Sequence, residues 1–123
     1  NLPQASEASS ALVYIVRPAW MGGMIRFNVF LDDKEDNSEM GYTRSVQYIN
    51  FFITPGKHTI FSKAENWAEI NIDAKEGDII FIKQIPSWGI IMARNSLELI
   101  DEIEGKYHVK NTEVGEIKKV RLI

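Results

Sequence analysis

Two histidines, one run of carboxylates and three tryptophans are the residues in this chain that offer chemistry beyond packing. His58 follows directly on Pro55-Gly56-Lys57, and His108 lies in EGKYHVK. A histidine acts as a base when it is held beside a nucleophile, and a Ser-His-Asp set assembled in space leaves no fixed trace in one sequence. The signatures that do leave a trace, a glycine-flanked nucleophile serine, a P-loop and an HExxH pair, are absent. His58 therefore reads as a structural residue of its turn, with a hydrolase of unrecognised active site as the alternative. Nothing singles out a carboxylate pair for glycoside chemistry.

The segment DDKEDNSE gathers Asp32, Asp33, Glu35, Asp36 and Glu39 around Asn37. Hard oxygen ligands of this kind suit calcium, but Lys34 falls where an EF-hand ligand belongs and no glycine makes the sharp turn. The expectation is a solvated acidic loop, with a weak cation site at Asp32, Asp33, Glu35 and Asp36 as the alternative. Cysteine is absent, which removes disulfides, thiolate zinc sites and thiol redox chemistry together. No cofactor is expected.

Trp20 lies in PAWMGG, Trp67 follows Glu65-Asn66, and Trp88 lies in PSWG. Aromatic rings beside arginine can stack on sugars or anchor a protein partner. They can equally plug the open end of a core. Which of these applies depends on where the surrounding elements place them.

Short runs rich in Val, Ile, Phe, Tyr and Thr recur about every ten residues between Gly, Pro, Asn and Asp clusters, the spacing of an all-β sandwich or barrel. The pattern predicts strands over Ala11–Arg17, Met24–Leu31, Met40–Thr43, Val46–Ile53, His58–Ala64, Trp67–Ala74, Asp78–Ile85 and Gly89–Ala93, the last continuing into or followed by Leu97–Ile100. Pro55 and Gly56 mark one turn and Gly77 another, positions where Pro presets φ and Gly accepts a positive one. Ile100, Ile103 and Tyr107 recur at helical spacing and predict a short helix over one sheet edge, weakened by Gly105. EIKKVRLI reads as a terminal edge strand guarded by Lys118, Lys119 and Arg121. The fold class is an antiparallel β-sandwich of about seven to nine strands with one short C-terminal helix.

If successive strands reverse, every second connection falls at one end, so the loops at 18–23, 44–45, 65–66 and 86–88 gather there. That placement makes Trp20, Trp67, Trp88 and Arg44 the candidate ligand-binding set. Trp20 depends on the short third strand.

A chain of 123 residues with 45% apolar and 25% charged side chains has the make-up of one globular domain. Residues 1–10 read as a flexible tether and 11–123 as the single domain. Net charge of −3, pI near 5.4 and scattered Lys and Arg leave no basic footprint for nucleic acid. The first residue is Asn1 rather than Met, so the expectation is that a leader lies outside the sequence.

ALVYIVRP, FNVFLD, the Tyr48–His58 segment ending TPGKH, AKEGD and SLELID together resemble a family of small bacterial domains of unknown function found in predicted lipoproteins. The likeness spans about Ala11–Asp101 and rests on the order of several motifs rather than on any one. The PGKH turn with its following strand is also similar to PEGA-type envelope modules. The resemblance implies a non-catalytic β-sandwich in the bacterial periplasm or outer membrane, commonly lipid-anchored, that binds or braces an envelope protein or cell-wall glycan. The lipidated cysteine is not among these residues, so contact with a membrane is expected only through an anchor outside this sequence.

Overall fold

The computed structural model describes residues 10–121. Its elements are β1 (Ala11–Arg17), β2 (Phe27–Leu31), β3 (Glu39–Thr43), β4 (Gln47–Ile53), β5 (Gly56–Lys63), β6 (Trp67–Ala74), β7 (Ile79–Trp88), β8 (Ala93–Ile100), α1 (Glu102–Lys110), β9 (Glu113–Val114) and β10 (Glu116–Ile117). The chain is mostly β with one short helix, arranged as two five-stranded sheets ordered β8-β7-β1-β4-β9 and β10-β3-β2-β5-β6. Ten strands form where seven to nine were expected. The difference lies after the helix, where the chain pairs β9 with β4 of one sheet and then β10 with β3 of the other.

Every pairing from β1 to β8 fits a chain that reverses at each connection. That rule also explains the departure from an all-antiparallel arrangement. β1 and β7 are both odd-numbered, so when β7 docks beside β1 they pair in parallel, Leu12 against Ile79 through Val16 against Lys83. Parallel neighbours sit at a sheet centre and are covered on both faces. All seven residues of β1 are buried accordingly.

Alternate residues of β1 serve two clusters. Ala11, Val13 and Ile15 join Ile49, Phe51, Ile53 and Ile82 of their own sheet with Val29, Leu31, Met40, Ile60 and Ile72 of the other. Leu12, Tyr14 and Val16 turn the opposite way, onto Phe81 and Val109 of α1. The Tyr14 and Phe81 rings stack 5.2 Å apart. Thus α1 covers the middle of a sheet face, not an edge as the sequence suggested. The apolar stripe expected of it is also displaced: Ile103 and Tyr107 are exposed, while Gly105 and Val109 face the sheet. Gly105 is required there, since a Cβ would strike the Phe81 ring. Asp101 starts the helix by accepting the Glu104 N–H at 2.8 Å, a side-chain N-cap.

The larger boundary shifts have local causes. β2 begins at Phe27, because Gly22 and Ile25 close a turn and Arg17 takes the Ile25 carbonyl. β5 begins at Gly56, whose φ of 120° matches the demand placed on the Pro55-Gly56 turn; Gly77 likewise has φ of 85°. β7 runs through Pro86 to Trp88, since Pro86 lies beyond the last residue paired with β1 and no ladder bond is lost there. The expected strand at Gly89–Ala93 is therefore the tip of a hairpin, and β8 starts at Ala93. The terminal edge strand shrinks to β10 and a single bridge between Arg121 and Phe52, with Leu122 and Ile123 outside the described residues. Of the expected tether, residues 1–9 are also outside them; Ser10 is buried, its carbonyl accepting the Gly77 N–H.

Candidate docking end

Arg17, the last residue of β1, organises the end at which the alternate connections meet. Its side chain is fully buried, the guanidinium 3.6 Å from the centre of the Phe27 ring. It donates to the carbonyls of Ile25 at 2.6 Å, Thr43 at 3.0 Å and Met21 at 3.4 Å. Burial pushes its pKa down to about 10, still far above neutrality, so the cation persists. One side chain thereby fixes the 18–26 loop against the end of β3. Arg44 adds a bond from Nε to the Met24 carbonyl, and the Ser45 N–H donates to Gly23.

The β5–β6 turn and the β7–β8 tip are tied just as closely. The Glu65 N–H donates to the Ala93 carbonyl, and its carboxylate accepts from the backbone of Ile90 at 2.7 Å, Ile91 at 2.7 Å and Met92 at 3.2 Å. Gly89 is obligatory here because a Cβ would collide with that carboxylate and with the Met92 carbonyl. Asn66 and Asn95 exchange three further bonds between the two connections.

The expected gathering of connections at one end is what the structure shows, but the three tryptophans do not form one surface. Trp20 and Trp88 stand out into water at 78% and 86% exposure. Neither plugs the core; that position belongs to Arg17. Trp67 turns onto the outer face of its sheet, against Phe30 and Phe61, with the amines of Lys34 and Lys63 over its ring. Four residues absent from the sequence-derived set complete the end: Met24, Ile90, Ile91 and Met92, with Ile90 at 94% and Ile91 at 88% exposure. Their signal was a Gly-Ile-Ile-Met run after Trp88, which reads as a strand unless Gly89 is recognised as the first residue of a tip.

The carboxylate of Glu65 is held below the usual range by the Ile91, Ile90 and Met92 N–H groups, in that order. A carboxyl group with a lowered folded-state pKa contributes order above its unfolded value and loses that contribution as pH falls through the folded one. The Ile90 and Ile91 amide resonances are therefore expected to hold fixed positions near neutrality and to move together only once pH falls below the ordinary glutamate range. Glu65→Gln should remove that titration. A wild-type profile flat to the onset of unfolding would contradict the assignment.

The opposite end holds His58. Its Nδ1 lies 2.9 Å from the Asp32 carboxylate, and Nε2 lies 2.7 Å from the Thr54 carbonyl and 3.2 Å from the Thr54 hydroxyl. Both ring nitrogens face acceptors, the Asp32 carboxylate at Nδ1 and the Thr54 carbonyl at Nε2, so the ring is tied into its turn on both sides. Two clefts, of 140 and 460 Å³, flank this residue. Asp32, at φ of 69°, also accepts the Thr59 N–H. Asp33 accepts that of Glu35 and is held below the usual range by Ser38 and this bond. Among the described residues no three His, Asp or Glu side chains converge to hold a metal ion. On α1 the His108 Nε2 lies 3.0 Å from the Glu104 carboxylate, which His108 and Lys83 hold below the usual range.

A protein of Haemophilus influenzae described as uncharacterised is 26% identical over 104 residues, 84% of this chain and 60% of that protein. The chain thus spans about three fifths of that relative's length. No family model matches the chain, and no solved structure matches it.

Proposed function

We propose that the chain is a non-catalytic β-sandwich module of the bacterial cell envelope that docks on an envelope component through the Trp20–Trp88 end. The observation that carries this reading is the set of large apolar side chains held out from loops that hydrogen bonds tie to the sheets. Trp20, Met24, Trp88, Ile90 and Ile91 each keep three quarters or more of their surface in water. Exposed apolar groups in such a cluster mark interaction sites, because leaving them in water is costly. Loops tied in this way lose little ordering entropy on docking. The envelope location and a lipid anchor rest on the motif resemblance from Ala11 to Asp101, and no helix among the described residues is long and apolar enough to cross a membrane.

A protein or a cell-wall glycan was the partner expected from the aromatic residues. Glycan stacking calls for rings ringed by hydrogen-bonding groups, whereas the other large side chains exposed at this end, Ile90, Ile91 and Met24, are apolar, so an apolar partner surface is the better match. The hydrolase alternative draws no support from His58, whose Nε2 is engaged with the Thr54 carbonyl.

Trp20→Ala/Trp88→Ala tests the reading. Both rings are so exposed that melting should shift by no more than the few tenths of a kcal/mol usual for surface changes. Each ring buried in a partner is worth about 2 kcal/mol, so the pair should nearly abolish a micromolar association with sedimented envelope fraction. Folded double variant that still sediments as wild type would refute the docking end.

A further inference from the structure

We infer that the surface on which this end docks is an anionic phospholipid bilayer, with Ile90, Ile91 and Met24 entering the acyl boundary and Trp20 and Trp88 at headgroup level. The inference rests on the docking reading above and names its partner.

Shape is the first argument. Ile90 and Ile91 are 94% and 88% exposed, so they project singly rather than line a groove. A protein partner would need a pocket for each and a packed interface of roughly 800 Å² around them. Fluid acyl chains close around isolated side chains without such complementarity. The two clefts described above lie at the other end, around Asp32 and His58.

Backbone chemistry is the second. A loop that leaves water must keep its N–H groups bonded, because lipid offers no acceptor. The Ile90, Ile91 and Met92 N–H groups are all taken by Glu65. The one acidic side chain of these connections is therefore turned inward, onto the tip it supports.

Charge and residue type agree. Residues 18–26, 44–46, 64–66 and 88–94 contain three cations, Arg26, Arg44 and Arg94, against Glu65 alone. This local excess of positive charge sits on a chain whose net charge is −3. Tryptophan is the residue that concentrates at membrane interfaces, and cations beside an inserted tip gain from anionic headgroups.

The test uses the full chain with vesicles of phosphatidylethanolamine and phosphatidylglycerol, compared with vesicles of phosphatidylcholine alone. Wild type should float with the anionic vesicles, with its tryptophan emission quenched by acyl-brominated lipid. Trp67→Phe should leave that quenching intact, and Trp20→Phe/Trp88→Phe should remove it. Ile90→Asp/Ile91→Asp, which leaves the backbone bonds to Glu65 in place, should reduce partitioning by about tenfold or more at unchanged melting temperature. Arg44→Gln and Arg94→Gln should each cost about fivefold, less at high salt. Absence of wild-type flotation, or flotation unaffected by the Asp pair, would overturn the bilayer assignment. If wild type ignores vesicles while the Trp20/Trp88 variant still loses the envelope fraction, the docking end survives with a protein partner; if neither is lost, both readings fall.

Discussion

Arg17→Ala is expected to lower the stability of the fold by about 3 to 5 kcal/mol, with Arg17→Met costing about 2 to 3. The difference between the two isolates packing from polar contacts, since Met keeps most of the stem volume and none of the donors. A buried charge need not stabilise a protein, because desolvation can exceed what its partners return. Here the lowered pKa records that cost, yet it leaves Arg17 charged. Against the cost stand bonds to the Ile25 and Thr43 carbonyls of 2.6 and 3.0 Å, a weaker one to Met21, and a desolvated stack on Phe27. Removing the guanidinium leaves those carbonyls to find water at a closed end. Lysine is a poor substitute, having no planar face for Phe27 and no fork to share between β3 and the 18–26 loop. The loss should also be local in character: Trp20 and Met24 are positioned by the loop Arg17 holds, so their mobility should rise before global melting. Chemical denaturation of the three variants, with Trp20 fluorescence anisotropy as the local probe, checks both parts. A neutral Arg17→Met would show that desolvation cancels every contact.

How far this could be read from the sequence depends on which physical signal each part carries. A period-two pattern located β6 to the residue, because one of its faces meets water, and an unbroken apolar run between Ser10 and Arg17-Pro18 located β1. The gathering of connections at one end followed from strand reversal alone. What escaped was set by pairs distant in the chain. Gly105 argued against a helix on propensity, yet its lack of a Cβ is what lets α1 rest on Phe81. Pro86 looked like a loop residue, and only the position where β1 stops makes it acceptable in β7. Placing the tip at 86–88 then hid Ile90 and Ile91 inside an imagined strand. Trp67 lies at the expected level, but its separation from Trp20 and Trp88 on the outer sheet face depends on the pairing of Lys63 with Trp67 and of Phe30 with Phe61. Arg17, three residues before Trp20, gave no local sign that it would be buried.

Beneath the Trp20–Trp88 end a tier of polar side chains crosses from one sheet to the other, and it supports the second large effect. Thr43 donates to Gln84 Oε1 at 2.6 Å, and Gln84 Nε2 donates to Ser62 Oγ at 3.0 Å, with all three residues fully buried. Gln84 belongs to β7, Thr43 and Ser62 to β3 and β5, so this chain of bonds spans the space between the sheets. Gln84→Leu is nearly isosteric. It should nevertheless cost about 2 to 4 kcal/mol, because each hydroxyl left without its partner carries a desolvation penalty of about 1 to 3 kcal/mol. The same reasoning sets the opposite expectation for removing the whole set. Thr43→Val/Ser62→Ala/Gln84→Leu leaves no orphaned hydroxyl and should return to within about 1 kcal/mol of wild type, since net gains from neutral buried hydrogen bonds are small. Asn95 is untouched by these changes: its Nδ2 bonds the Ser62 backbone carbonyl and the Asn66 side chain, so the β7–β8 tip should keep its place. Urea denaturation of the single and triple variants measures the coupling directly. A triple variant no more stable than Gln84→Leu would mean that the hydroxyls contribute by bonding rather than merely by needing to be satisfied.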